Sequence, residues 1–279
     1  MIIGISGKKQ SGKDTVGKII QYLKFIDEYK VYHLEYYPVE LFIDNLLNNN
    51  ENAIPDDILF KDNFKIVKYA NKLKQVVSLL IKIPFEDLEK EEVKSSKLSE
   101  EWTRWYIYSE KIKSHRNPKG IIAKYYSSQL EAEQELLKIS NIVDECAIKK
   151  ELITVRQLLQ EVGTDAMRNI VHPNIWVNAL FADYTTDPEC NWIITDVRFP
   201  NELCAVTDRG GITIRVESEY IDHKNRITRI NSNEEHLSET ALDNCYFDYV
   251  IHNNGDIKEL MLQVEQILLK QHMLIQEIL

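Results

Sequence analysis

A glycine-rich segment close to the start of the chain most constrains how this chain can fold. Residues 1–6 (MIIGIS) are typical of a short buried strand, and residues 7–15 (GKKQSGKDT) lead into a helical apolar periodicity. The spacing G-x-x-x-x-G-K between a strand and a helix is that of a phosphate-binding P-loop. Its glycines let backbone N–H groups surround phosphate oxygens at the helix N-terminus. The alternative, a glycine-rich turn without a ligand, is disfavoured because motif, strand and helix agree.

The residue after the P-loop lysine departs from the general pattern. Lys13 supplies a charge that reaches the β- and γ-phosphates, and Asp14 stands where Ser or Thr usually offers Mg²⁺ a hydroxyl. Either Asp14 binds or orients the metal, directly or through water, or Thr15 supplies the hydroxyl one place later. The predicted phosphate-binding residues of the loop are Gly7, Lys8, Ser11, Gly12, Lys13, Asp14 and Thr15.

Composition and charge exclude several classes of protein. The 279 residues carry a formal net charge of −10, which argues against a nucleic-acid partner. No run of about 18 apolar residues predicts a membrane span, and the apolar start lacks the layout of a signal peptide. The four cysteines lack metal-ligand spacing, so free thiols in a reducing cytoplasm are expected. They are Cys146, Cys190, Cys204 and Cys245.

Strand and helix patterns alternate along most of the chain. Strands are predicted at 1–6, 31–35, 66–70, 191–196, 212–216 and 247–252. Helices are predicted at 12–26, 72–83, 130–142, 154–162, 173–184, 200–209 and 256–271. This alternation predicts a P-loop α/β fold with about five parallel strands. We expect one domain over 1–279, with 86–150 as a helical insertion on the acceptor side.

Asp196 ends an apolar strand, at the edge of the sheet where ligands of parallel sheets bind. A carboxylate there is typical of an acid that holds Mg²⁺ through water. Capping of the helix that begins at Pro200, or a salt bridge to Arg198, is the structural alternative. Arg198 lies on the same rim and could bind a phosphate with both guanidinium nitrogens.

A polar stripe recurs every four residues in the second half of the chain, and its members share a face if one helix persists. Two arginines and a glutamine on that face could bind a phosphate and the edge of a base, whereas a solvated face is the alternative. The stripe consists of Arg156, Gln160, Thr164 and Arg168. Trp176, between two apolar residues, is either a core side chain or a base-stacking one.

A basic stretch near the C-terminal third is compatible with two interpretations. Lys224, Arg226 and Arg229 precede the sequence HLSE at 236–239. A mobile lid at 226–236 that brings arginines to the transferred phosphate would have this composition. An ordinary surface loop would have it too, and composition alone favours the loop.

Seven segments resemble the phage-type deoxynucleoside monophosphate kinases, which are P-loop enzymes that phosphorylate dNMPs with ATP. Order and approximate spacing match across nearly the whole chain, and the Asp after the P-loop lysine is similar to this family's own version. The segments are 7–15 (GKKQSGKDT), 69–74 (YANKLK), 156–164 (RQLLQEVGT), 174–177 (NIWV), 195–202 (TDVRFPNE), 236–239 (HLSE) and 247–253 (FDYVIHN).

The resemblance implies a nucleoside-monophosphate-kinase-like fold with ATP and Mg²⁺ on the P-loop and a dNMP as acceptor. It places Asp14, Thr15 and Asp196 around the metal, with Lys13 neutralising the transferred phosphoryl group. It also implies that Arg198 stabilises charge during transfer, and that the turn at Asn253 packs on the adenine.

On the acceptor side, the resemblance implies that Arg156 and Arg168 hold the α-phosphate of the dNMP. Lys74 would lie nearby, and Gln160 would contact the base. Residues 86–150 are poorly covered by the family pattern. The resemblance also implies a viral or prophage gene whose product acts in bacterial cytoplasm.

Two other functions stay open at this level. Phosphomevalonate kinases of one branch resemble the same Gly-Lys-Asp P-loop, so another small phosphorylated acceptor is an alternative. A non-catalytic ATP-binding sensor is the second. The sequence does not decide which base is accepted, nor between a monomer and a homodimer.

Overall fold

The computed structural model describes residues 1–31, 38–48, 50, 54, 64–113, 120–139, 145–184, 191–219, 240–274 and 278. The chain divides into two compact units. The first comprises Met1–Lys72 and Asn174–Leu279, and the second comprises Leu73–Pro173. The predicted lid at 226–236, the 236–239 segment and residues 32–35 of the predicted second strand lie outside the described residues.

The first unit is built on a five-stranded, all-parallel sheet, which confirms the predicted α/β fold. Its strands lie in the order β2-β6-β1-β7-β8. They are β1 (Ile2–Gly7), β2 (Lys65–Val67), β6 (Trp192–Val197), β7 (Ile212–Glu217) and β8 (Tyr249–His252). The central strand β1 is buried from Ile2 to Ser6 and is mainly apolar, as expected of a parallel strand covered on both faces.

Helices of the first unit connect or flank these strands. They are α1 (Lys13–Val31), α2 (Val39–Leu47), α3 (Tyr69–Ile81, which continues into the second unit), α7 (Ile175–Tyr184), α8 (Pro200–Thr207) and α9 (Ile257–Lys270). Helix α1 extends to Val31, so the strand predicted to begin there is wrong at that residue. Gly17 lets α1 approach β6 closely, since a Cβ at this position would lie 2.7 Å from Thr195 Cγ2.

The second unit contains a three-stranded antiparallel sheet, so the helical interpretation of residues 86–150 is wrong for these strands. They are β3 (Thr103–Tyr108), β4 (Ile121–Tyr126) and β5 (Ala147–Leu152), in the order β4-β3-β5. Ile107 and the partly buried Trp105 alternate with more polar neighbours and pack in an apolar cluster, which is the two-residue period of a half-buried strand.

The other elements of this unit are helical. They are the short 3₁₀ turns Phe85–Glu89, Glu100–Trp102 and Glu110–Ile112, α4 (Glu91–Ser95), α5 (Gln129–Ile139), α6 (Val155–Gln160) and a π-helix at Glu161–Val171. Gly163 and Thr164, which follow the predicted helix 154–162, lie inside the π-helix. No described helix combines the length and the apolar character that crossing a membrane requires.

Candidate nucleotide site

The predicted P-loop joins β1 to α1, as the motif requires, and two of its glycines occupy positions that a larger residue could not. Gly12 has a φ of +100°, and a Cβ there would lie 2.6 Å from Asn253 Nδ2. A Cβ at Gly7 would lie 2.4 Å from the Val216 carbonyl oxygen. At both positions the close packing of the loop therefore requires a residue without a side chain.

Polar groups of the loop have the chemistry that a phosphate ligand would satisfy. Lys13 is buried, and its Nζ donates to the Lys8 carbonyl oxygen at 2.6 Å, so its ammonium lies against the loop. Ser11 Oγ is also buried and has no hydrogen-bond partner among the described residues. A buried hydroxyl without a hydrogen-bond partner is costly, and a phosphate oxygen could accept a hydrogen bond from it.

Asn253, predicted to bind ATP, contacts the P-loop. Its Nδ2 donates to the Ser11 carbonyl oxygen at 2.9 Å and lies against Gly12. The neighbouring Asn254 accepts a hydrogen bond from the Glu219 backbone N–H at 2.9 Å. The two asparagines of the turn after β8 thus connect this turn by hydrogen bonds to the P-loop and to the segment that follows β7.

Asp14 is exposed in the first turn of α1, and two partners share its Oδ1. The Thr195 hydroxyl donates to it at 2.8 Å, and the Lys68 ammonium lies 2.8 Å away. Although the side chain is exposed, the protein atoms around it displace some water, which by itself would raise the pKa of Asp14. Lys68 and Thr195 outweigh this effect and hold that pKa below its ordinary value. Thr15 follows in the same turn and is half-buried. Oxygen donors of this kind suit Mg²⁺.

Asp196 is buried and caps a helix, although not the helix considered from the sequence. Its two carboxylate oxygens accept the backbone N–H groups of Tyr69 and Ala70, at 2.8 and 2.9 Å, at the start of α3. The helix that begins at Pro200 is capped by Glu202, whose Oε2 accepts the N–H groups of Arg198 and Phe199. Burial raises the pKa of Asp196, against the opposing effect of the two N–H groups.

Arg198 and Trp176 belong to the same unit as the P-loop. Arg198 follows β6 at its carboxyl end and is half-buried. Trp176 is 7% exposed in α7, a position that suits the core alternative better than base stacking.

The remaining predicted substrate residues lie in the second unit. Lys74 on α3 is buried and forms an ion pair with Glu89, and Arg156 on α6 forms one with Glu91. Gln160 ends α6 and is exposed. The α-helix then gives way to the π-helix, which carries Thr164 and Arg168, so the four-residue spacing does not run along one continuous α-helix.

Two residues that the sequence interpretation missed lie beside the P-loop. Lys68, the partner of Asp14, directly follows β2, just as Asp196 lies near the end of β6. Arg215 on β7 donates to Ser6 Oγ at 3.2 Å and to Asp243 at 3.0 Å. It lines a cavity of about 450 Å³ that also reaches Lys8 and Ser11. In both cases, the sequence feature that could have identified the residue is a basic side chain within, or directly after, an apolar strand.

No group of three or more His, Cys, Asp or Glu side chains that could hold a metal ion occurs in the described part of the chain. Cys146, Cys204 and Cys245 are free thiols, and Cys190 lies outside that part.

Comparisons with known proteins show which family the chain resembles. The chain is 29% identical over 119 residues to the deoxynucleotide monophosphate kinase of Escherichia phage RB69, covering 41% of this chain and 45% of the relative. It is 32% identical over 120 residues to the deoxynucleoside-5'-monophosphate kinase of Escherichia phage T5, covering 40% of this chain and 44% of the relative. The chain thus spans less than half the length of these relatives.

A family model described as deoxynucleotide monophosphate kinase matches residues 1–264. Because this match runs through nearly all of the chain, from the P-loop into α9, the chain belongs to the deoxynucleotide monophosphate kinase family.

Proposed function

We propose that this chain transfers the γ-phosphoryl group of ATP to a deoxynucleoside monophosphate, yielding dNDP and ADP. The observation that carries the proposal is the P-loop between β1 and α1, with its excluded side chains at Gly7 and Gly12 and its buried Lys13, in a chain of this family. Phosphoryl transfer needs little covalent chemistry from the protein, so positioning and electrostatics supply most of the acceleration.

On the donor side, backbone N–H groups of the loop and the N-terminus of α1 would bind the phosphates of ATP. Lys13 would move from the Lys8 carbonyl to the β- and γ-phosphate oxygens, and Ser11 Oγ would donate to a phosphate. Asp14 and Thr15 would hold Mg²⁺, which supplies charge neutralisation at the phosphates when bound. Asp196, whose oxygens already accept two N–H groups, would act on the metal only through water.

On the acceptor side, Arg156 and Arg168 would bind the α-phosphate, with Lys74 as a third cation. Lys74 and Arg156 already bind carboxylates in this structure, and a phosphate would replace Glu89 and Glu91 as their partner. Gln160 and Thr164 would contact the nucleoside, whereas Trp176, buried in α7, would be a core side chain. Arg198, at the carboxyl end of β6, would stabilise the charge that develops during transfer. Loss of one such arginine is expected to lower turnover about a hundred- to a thousand-fold.

The proposed setting is the cytoplasm of an infected cell. It is supported by the viral sources of the two relatives and by the free thiols of the described cysteines.

The direct test incubates the purified chain with ATP, Mg²⁺ and each dNMP in turn and separates ADP and dNDP by chromatography. Formation of dNDP from one or a few dNMPs is expected and would also identify the base. Binding of ATP without product from any dNMP would instead favour another acceptor or an ATP sensor.

The matched variant is Lys13→Ala, since Lys13 is the one P-loop side chain whose charge is expected to reach the transferred group. We expect it to lower turnover by at least about a hundred-fold, measured in the same assay. Unchanged turnover in this variant would contradict the P-loop assignment.

A further inference from the structure

Arg104, which nothing in the proposed mechanism uses, joins the three-stranded sheet to the π-helix of the second unit. Its side chain on β3 is 13% exposed. Nη1 and Nη2 donate to the two carboxylate oxygens of Glu161 at 2.5 and 2.7 Å, which is a two-point guanidinium–carboxylate bond. Glu161 is the first residue of the π-helix Glu161–Val171.

The same guanidinium is fixed by the two other strands of the sheet. Nε donates to Glu151 on β5 at 2.9 Å, and Nη2 lies 2.7 Å from the same carboxylate. The ring of Tyr125 on β4 lies 3.5 Å from the guanidinium carbon. Burial lowers the pKa of Arg104, but Glu161 and Glu151 outweigh it and raise that pKa overall. Arg104 thus contacts β4, β5 and the π-helix from β3.

The length of the π-helix is unusual. π-Helices are rare and occur mostly as single turns within α-helices, often at functional sites. This one runs for 11 residues and carries Thr164 and Arg168. Its first turn also packs tightly at Gly163, where a Cβ would lie 2.6 Å from Leu73 Cδ2. The direction of Arg168 therefore depends on how the first turn is held.

We propose that Arg104 is a positioning residue for the acceptor nucleotide: by clamping Glu161 onto the sheet, it fixes the π-helix that carries Thr164 and Arg168. The proposal rests on the proposed function for the identity of the ligand. The three-stranded sheet then acts as the support of an acceptor-binding helix, and it makes no contact with the acceptor through Arg104.

The test compares Arg104→Met, which removes the charge, with Arg104→Lys, which keeps the charge but loses the two-point bond. The control is Lys150→Met on β5. Lys150 forms an ion pair with Glu100 at 3.5 Å and lies near the Trp105 ring, so it links the same sheet without contacting the π-helix. Hydrogen exchange of residues 161–171 is followed in the absence of nucleotide, and the KM values for dNMP and ATP are measured separately.

We expect exchange across 161–171 to accelerate about ten-fold or more in Arg104→Met, with a similar rise in KM for dNMP, because the partly buried Glu161 carboxylate loses its two-point bond to the sheet. KM for ATP should stay within about two-fold, Arg104→Lys should be intermediate, and Lys150→Met should match the unmodified chain in exchange. Unchanged exchange in Arg104→Met overturns the proposal, as does an equal rise in both KM values.

The exchange arm separates this proposal from the proposed function. If the unmodified chain forms no dNDP from any dNMP, the proposed function fails, and with it the identity of the ligand. Exchange at 161–171 then decides alone whether Arg104 holds the π-helix. If Arg104→Met does not fold, Arg104→Lys gives the same comparison with a smaller expected change.

Discussion

Gly12 lies in the P-loop at a position where no side chain fits. Its φ of +100° is costly for any residue with a Cβ, and Asn253 Nδ2 occupies the space a Cβ would need. That amide cannot retreat without losing its hydrogen bond to the Ser11 carbonyl oxygen, at 2.9 Å. The backbone conformation of the P-loop and its contact with the turn after β8 therefore both depend on Gly12.

Gly12→Ala is expected to lower both stability and ATP affinity. The control Gly210→Ala has a φ of +69° but nothing within 4 Å of its Cβ, so it carries only the backbone strain. Gly210→Ala should lose about 1–2 kcal/mol of unfolding free energy, measured in urea, and Gly12→Ala should lose more because its Cβ also meets Asn253 Nδ2. Only Gly12→Ala should weaken ATP binding about ten-fold or more in calorimetry. Equal ATP affinity in the two variants would show that Gly12 is needed for the backbone alone.

At the scale of the element, the N-terminus of helix α3 is bonded to the carboxyl end of strand β6. The first two N–H groups of α3, at Tyr69 and Ala70, bind the oxygens of Asp196, a residue more than a hundred positions away in the chain. This bond joins the carboxyl end of one strand to the helix that follows its neighbour β2. A carboxylate that sequence position assigns to metal chemistry thus has a structural role, and it leaves Asp14 as the exposed acid of the P-loop.

Asp196→Ala is expected to lower the unfolding free energy by about 1–2 kcal/mol, because two helix N–H groups lose their acceptors. Asp196→Asn should cost almost as much, since one of its side-chain atoms becomes a donor that faces a backbone donor. The comparison is Asp256→Ala, which removes the cap of α9 at Glu259. It should cost about 1 kcal/mol in urea unfolding and leave ATP binding unchanged. Full stability of Asp196→Asn would mean that a single accepted N–H suffices.

At the scale of the whole molecule, the proposed donor and acceptor residues divide between the two compact units. The P-loop, Asp14, Asp196, Arg198 and Asn253 belong to the first unit, and Lys74, Arg156, Gln160, Thr164 and Arg168 belong to the second. Each unit has its own apolar cluster, so each has its own source of stability. Ligand binding should therefore be detectable as stabilisation of a folded unit.

ATP with Mg²⁺ at about 100 times its Kd should stabilise the folded chain by about 2.7 kcal/mol, because the unfolded chain does not bind it. For a unit of this size, the expected rise in melting temperature is about 5–10 °C, measured by differential scanning fluorimetry. Lys13→Ala should show no such rise. An equal rise in the variant would place ATP binding elsewhere in the chain.

Sites formed by residues that are neighbours in the chain could be predicted from the sequence. Contacts between residues that are far apart in the chain could not. The P-loop needs only a strand, a helix and fixed spacing, and all three are local. The contacts of Asp14 with Lys68 and of Asp196 with Tyr69 join residues that no local pattern connects. In residues 103–108, charge and aromatic content obscured the alternation of Trp105 and Ile107 with Arg104 and Tyr106, although that alternation is the signal of a strand.

The amino-acid sequence by itself determined the parallel sheet and the position of the P-loop between a strand and a helix, because apolar periodicity and glycine spacing are properties of neighbouring residues. Only the tertiary structure decided which helix Asp196 caps, which cation accompanies Asp14 and that the helix after Gln160 widens into a π-helix. Each of these features depends on a partner that the fold brings close, as Arg104 is brought to Glu161 at the start of the π-helix. The free energy of such a contact cannot be inferred from neighbouring residues in the sequence.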